Sequence, residues 1–246
     1  MVSPDSSRIE EIWTSYLPEC KSRVERQLDV DLGDITLAPQ PSLAERLKAG
    51  LLSSGLHLQR ACRYWKRLYH SQEEIPGHQV LSYALQPLRE QIQEHTSNVG
   101  QVRVEGTIHF NPHAEYAFFA SNMHAQWSFE DFARHTLFHE LYHVAQRAAT
   151  GRTVEHLEFA AQENAIPIEG YAEYMTAQMM GVGRGCANFY APEHAAFTAL
   201  VELNRLQDPK EILWFSIMCF DLNAVWKKQP ELYERFKELE IIRKVP

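Results

Sequence analysis

Basic runs, paired cysteines and long apolar segments are all scarce in this sequence, and each scarcity removes a class of function. The 246 residues carry 24 Lys and Arg against 32 Asp and Glu, a formal net charge of −8. No run of Lys or Arg dominates, so neither nucleic acid nor an anionic membrane is expected as a partner. The basic set Arg60, Arg63, Lys66 and Arg67 fits a solvated helix face. The four cysteines, Cys20, Cys62, Cys186 and Cys219, are far apart and form no Cys-x-x-Cys pair, which excludes a zinc ribbon and a disulfide framework and leaves reduced thiols. The longest apolar run, Ile212 to Phe220, is far short of the roughly 20 residues that span a bilayer. No basic segment followed by an apolar one opens the chain, so a cytoplasmic location is expected.

What is present suits a packed core. Hydrophobic residues make up 45% of the chain. That fits a single domain over 1–246, or a core preceded by a helical N-terminal extension over 1–100. Ser7-Arg8-Ile9-Glu10 resembles a capping box, and the apolar spacing after it predicts a helix up to Pro18. A second short helix is expected over Cys20 to Leu28, then a strand over Asp34 to Pro39. Helices come next at Ser42 to Gly50, Leu56 to Tyr69 and Gln79 to His95. Val102, Val104, Ile108 and Phe110 alternate with polar residues, which predicts one strand ended by Asn111-Pro112. Residues 113–127 fit loop or helix equally. Later helices are expected at Val154 to Asn164, Pro167 to Met180, and about 193–206, 209–228 and 230–242, with Pro209 and Pro230 in first turns. Gly181-Val182-Gly183-Arg184-Gly185 lacks the preceding strand of a phosphate cradle and fits a pliable loop.

The most informative stretch is Thr136 to Gln146, which holds His139-Glu140-Leu141-Tyr142-His143. Ser128 with Asp131 supplies an N-terminal cap and Gly151 a stop, so a helix of about 22 residues brackets the motif. His139 and His143 then project from one face, one turn apart, close enough to chelate one metal ion. Glu140 lies about 100° around the helix, within reach of a water beside that metal without becoming a ligand. Leu137, Leu141, Val144 and Ala148 form the stripe that faces a core. His135 and His109 fit structural or surface roles.

Two histidines hold zinc poorly, so a third ligand is needed. A metzincin continuation is absent, because Gln146 and Ala149 occupy its places. A peptide deformylase arrangement has no match either. Downstream, the chain instead carries Pro167-Ile168-Glu169-Gly170-Tyr171-Ala172-Glu173-Tyr174, with Glu169 26 positions after His143. From His139 to Tyr174 the sequence resembles the gluzincins, zinc metallopeptidases that join His-Glu-x-x-His to a glutamate on a later helix. The resemblance implies that Glu169 is the third zinc ligand, with Gly170 letting two helices approach closely. It also implies an oxyanion donor from Tyr190 or His194, and an outer partner for a ligating histidine at Glu173, where thermolysin-like enzymes place an Asp. The aminopeptidase Gly-x-Met-Glu-Asn signature is missing, which argues against exopeptidase activity.

The expected fold is therefore α+β and zincin-like, mostly helical with a small sheet whose edge strand, over residues 102–110, borders the cleft. The expected function is zinc-dependent peptide-bond hydrolysis within chains, with Glu140 as base, on a peptide or protein substrate. Two alternatives stand beside it: a non-catalytic zincin-like domain that binds a peptide or protein, and a metal-dependent amidohydrolase acting on a non-peptide substrate. Sequence gives no oligomeric state.

Overall fold

A computed structural model describes residues 7–40, 100–104, 106–112, 114–120, 127–152, 165–181 and 190–237. The helices expected over 42–95, the basic set at 60–67, the helix over 154–164 and most of the glycine loop after Gly181 lie outside them.

Helix α1 runs over Arg8–Leu28, with Ser7 Oγ accepting from the Glu10 amide at 3.4 Å. It passes through Pro18, where a break was expected, and fuses the two predicted helices. An internal proline removes one hydrogen bond and crowds the preceding turn, at about 3 kcal/mol. Against this, Ile9, Trp13, Cys20, Val24 and Leu28 form one buried stripe on both sides of Pro18. Burying even two such side chains is worth about as much as the proline costs, so long-range packing wins. The stripe lies on the long helix over Phe129–Thr150: the Trp13 indole N–H donates to Ala133 O at 2.7 Å, and Tyr142 OH donates to Gln27 Oε1 at 2.5 Å. Residues 8–28 thus belong to the same hydrophobic cluster as the rest of the described chain.

Three strands form a sheet in the order β1-β3-β2: β1 Thr36–Pro39, β2 Gly100–Val104 and β3 Thr107–Phe110. β1 is parallel to β3 and β2 antiparallel to it. The single strand expected over 102–110 is in fact a hairpin. Val104 pairs with Thr107, and Gly106 turns the chain at φ +69°. A Cβ there would lie 2.6 Å from Asp34 O, so the turn needs glycine for both conformation and space. Alternation ran across the turn because the buried faces of both strands, Val102 on one and Ile108 and Phe110 on the other, meet the same core. Among the described residues the edges of this sheet are therefore β1 and β2, while β3 is paired on both sides.

The remaining described elements are helices: α2 Ala114–Ala120, α3 Phe129–Thr150, a π-helical turn Ile166–Gly170 continuing into α4 Tyr171–Met180, α5 Ala191–Leu203, α6 Pro209–Met218, α7 Leu222–Lys228 and α8 Pro230–Lys237. The architecture is mostly helical with a small sheet, an α+β arrangement as expected. The predicted helix 209–228 divides in two because Asp221 lies past the end of one and caps the next, accepting from the Ala224 amide at 3.1 Å while Arg152 Nε holds it at 2.5 Å. Pro209 opens α6 and Pro230 opens α8, where a missing amide costs nothing. The apolar run of the sequence becomes α6, buried from Ile212 to Met218. No helix among the described residues is long and apolar enough to cross a membrane, and Cys20 and Cys219 are free.

Candidate metal centre

Helix α3 has the expected ends. Ser128 Oγ accepts from the Asp131 amide at 3.0 Å and donates to the Asp131 carboxylate at 2.6 Å, and Gly151 closes the helix at φ +70°. It is buried nearly all round. Leu137, Leu141 and Val144 face the core as expected, Ala148 is half-buried, and Phe138, His139, Glu140 and Tyr142 are buried as well. A helix buried on nearly every side offers its polar residues little water, so each of them must meet a partner.

The partner segment is the π turn. Its wider coil carries Glu169 opposite α3, and helix α5 lies so close that a Cβ on Gly170 would come within 2.4 Å of Glu193 O. Gly170 thus permits the close approach expected of it. Together these elements set His139 Nε2, His143 Nε2 and Glu169 Oε2 in a triangle with edges of 3.0, 3.2 and 3.3 Å. Three donors bound at about 2.0–2.1 Å to one tetrahedral ion stand about 3.3 Å apart. The triangle has that size. It is the one such group of three among the described residues.

The outer nitrogens show which lone pairs fill the triangle. His139 Nδ1 lies 3.3 Å from Glu173 Oε1, so a proton on that nitrogen faces the carboxylate. His143 Nδ1 lies 3.3 Å from Gln146 Oε1. Gln146 is oriented in turn, because its Nε2 donates to Pro167 O at 3.0 Å and to Ser216 Oγ at 3.1 Å. Both rings then aim Nε2 lone pairs inward, beside a carboxylate oxygen. Three mutually repelling electron pairs at hydrogen-bond distance need a cation among them, and the residues fit a metal ion on that ground. In the bare chain a proton serves instead. Burial pushes the His139 imidazole down, but bonds and charges from Glu169 and Glu173 outweigh it and hold its pKa well above the ordinary value. Burial likewise pushes Glu169 up, yet the His143 charge and bonds from both histidines hold it well below the carboxylate range.

Glu173 is buried between two imidazoles, with Oε2 3.1 Å from His135 Nε2 and Oε1 facing His139. It stands behind His139, where the resemblance puts an outer partner, and does not join the triangle. Glu140 does not join the triangle: its carboxylate feels the charges of His139, His143 and Glu169 and accepts the backbone N–H of Val102 on strand β2. Burial raises the Glu140 pKa, against the charges of His139 and His143. Tyr190 stacks on His139, centroids 5.5 Å apart and planes 10° apart, and its hydroxyl donates to Glu169. Burial and then the charges of Glu169, Glu140 and Glu173 push that phenol up, so it remains a proton donor. His194 is buried in α5, with the ring of Tyr174 at 6.4 Å. His109 is at the sheet, its Nδ1 3.2 Å from Pro39 O.

Sequence reading assigned no site role to His135, Gln146 and Val102. His135 stands one turn before His139 on the same face, and Gln146 three residues after His143, so helical spacing alone could have found both. Val102 carries no side-chain signal, because its contribution is a backbone amide. No family model matches the chain, and no curated protein or solved structure matches it.

Proposed function

We propose that this chain is a zinc-dependent peptidase of zincin-like fold that cuts peptide or protein chains internally. The observation that carries the reading is the inward convergence of two imidazole nitrogens and one carboxylate, with a fourth polar group, Glu140, held nearby but outside the triangle. A site built only to hold metal has no use for that carboxylate. Zinc bound there would supply Lewis-acid polarisation of a substrate carbonyl and an acidified water.

The chain's residues do the rest. Glu140, kept in place by the Val102 amide and raised in pKa by burial, takes a proton at its carboxylate and hands it to the departing amine. Tyr190, stacked on His139 and still protonated, would turn its one O–H from Glu169 to the negative charge that develops on the substrate oxygen. The outer edge of β2 runs beside Glu140 and offers backbone groups to an extended peptide. Of the strand expected as an edge over 102–110, only the β2 part can serve, since among the described residues β3 is paired on both sides. A cytoplasmic location belongs to the same proposal.

Glu140→Gln tests the reading. Purified wild-type chain should hold one zinc per molecule and cut peptides with blocked termini as readily as free ones. The variant should keep its zinc and lose hydrolysis. Absence of stoichiometric metal in the wild type would overturn the centre, and strict dependence on a free N-terminus would overturn internal cleavage.

A further inference from the structure

Gln146 is fully buried, at 0% exposure, and each end of its amide is engaged. Its carbonyl oxygen faces His143 Nδ1 at 3.3 Å, and its nitrogen donates to Pro167 O and to Ser216 Oγ. Ser216 spends its own hydroxyl proton on Leu213 O at 2.7 Å, so it can only accept from Gln146. The amide therefore cannot flip without setting its NH2 group against the proton on His143 and its carbonyl against Pro167 O. Pro167 lies two residues before Glu169, in the same π turn. One side chain thus joins the helix that bears His143 to the turn that bears Glu169, with α6 as the backstop.

On the premise of the proposed metal centre, we infer that Gln146 is a positioning residue for it. It holds the proton of His143 on Nδ1, turns Nε2 toward the ion, and fixes the distance between α3 and the π turn. It touches neither ion nor substrate. A merely structural glutamine would support folding without favouring one histidine over the other.

The test uses the full chain with zinc as probe, measured by competition with a chromophoric chelator, and nitrogen-15 NMR of the loaded protein. Gln146→Met, of similar volume, should weaken zinc binding by roughly 10–100-fold, the usual effect of removing an outer partner of a ligand. In the same variant the Nδ1 proton of His143 should exchange with solvent faster, while that of His139, facing Glu173, should not change. Zinc affinity within about twofold of wild type would overturn the inference, as would equal acceleration of both protons, or a wild-type His143 bound to zinc through Nδ1. Should Gln146→Met fail to fold, Ser216→Ala removes one anchor and should give a smaller loss of roughly 3–10-fold, and no loss would overturn the inference. A wild type that binds no zinc would instead overturn the metal centre itself.

Discussion

His139 and His143 present equivalent nitrogens to the triangle, yet they are held from behind by unlike chemistry. Behind His139 stands Glu173, a buried carboxylate that also faces His135; behind His143 stands Gln146, a neutral amide. A carboxylate makes the imidazole a stronger donor by stabilising positive charge on the ring, whereas an amide fixes direction and adds little charge. One histidine is therefore tuned electrically and the other mechanically. The electrical side also makes that ring attractive to protons when no metal is bound.

Removing what the two sides share should have the largest effect. Glu169→Ala deletes the carboxylate that meets both inner nitrogens, and zinc should be lost during purification, as metal analysis would show. Glu173→Ala strips only the His139 side and should keep the metal with affinity or activity lowered about 10–100-fold. If Glu173→Ala loses its metal and Glu169→Ala keeps it, the two glutamates have been exchanged. Glu173→Gln makes the two sides alike by supplying an amide to both rings. Its loss of affinity should be smaller than that of Glu173→Ala, and an equal loss would show that an amide cannot stand in for the Glu173 carboxylate even in part.

The smallest and most diagnostic effect concerns pH. The His139 pKa is raised in the bare chain, so below that raised value a proton occupies the site and zinc must displace it. Zinc affinity should climb as pH rises towards the raised pKa and level off above it. Glu173→Gln removes one of the charges that raise it, so the plateau should begin at lower pH. A competition series across pH would read both curves, and coincident curves would remove the electrical distinction between the two sides.

The parts legible in the sequence were those set by local chemistry. Ser128, Asp131 and Gly151 mark both ends of α3 because caps are built from neighbours in the chain. The spacing of His139, Glu140 and His143 carries its own geometry. Glu169 came from resemblance; in the structure its Oε2 lies 3.2 Å and 3.3 Å from the inner nitrogens of His139 and His143. Less legible was whatever depends on distant segments. Pro18 reads as a stop until α1 is laid against α3, and β2 and β3 read as one strand because alternation survives a tight turn at Gly106. The partners of Gln146 come from residues 21 and 70 positions further along the chain, which no local pattern announces.

The π turn also governs which changes of length the chain can accept. Such a turn is an α-helix holding one residue too many, and here the surplus falls within Ile166–Gly170, between Pro167, which Gln146 grips, and Glu173, which faces His139 from behind. Deleting a single residue from this stretch would restore regular coil and swing one of these groups about 100° around the helix axis relative to the other. Glu173 could then no longer stand behind His139 while Gln146 keeps its grip on Pro167. Sequences descended from this one should accept substitutions at Ile166 and Ile168 far more readily than any gain or loss of a residue between them.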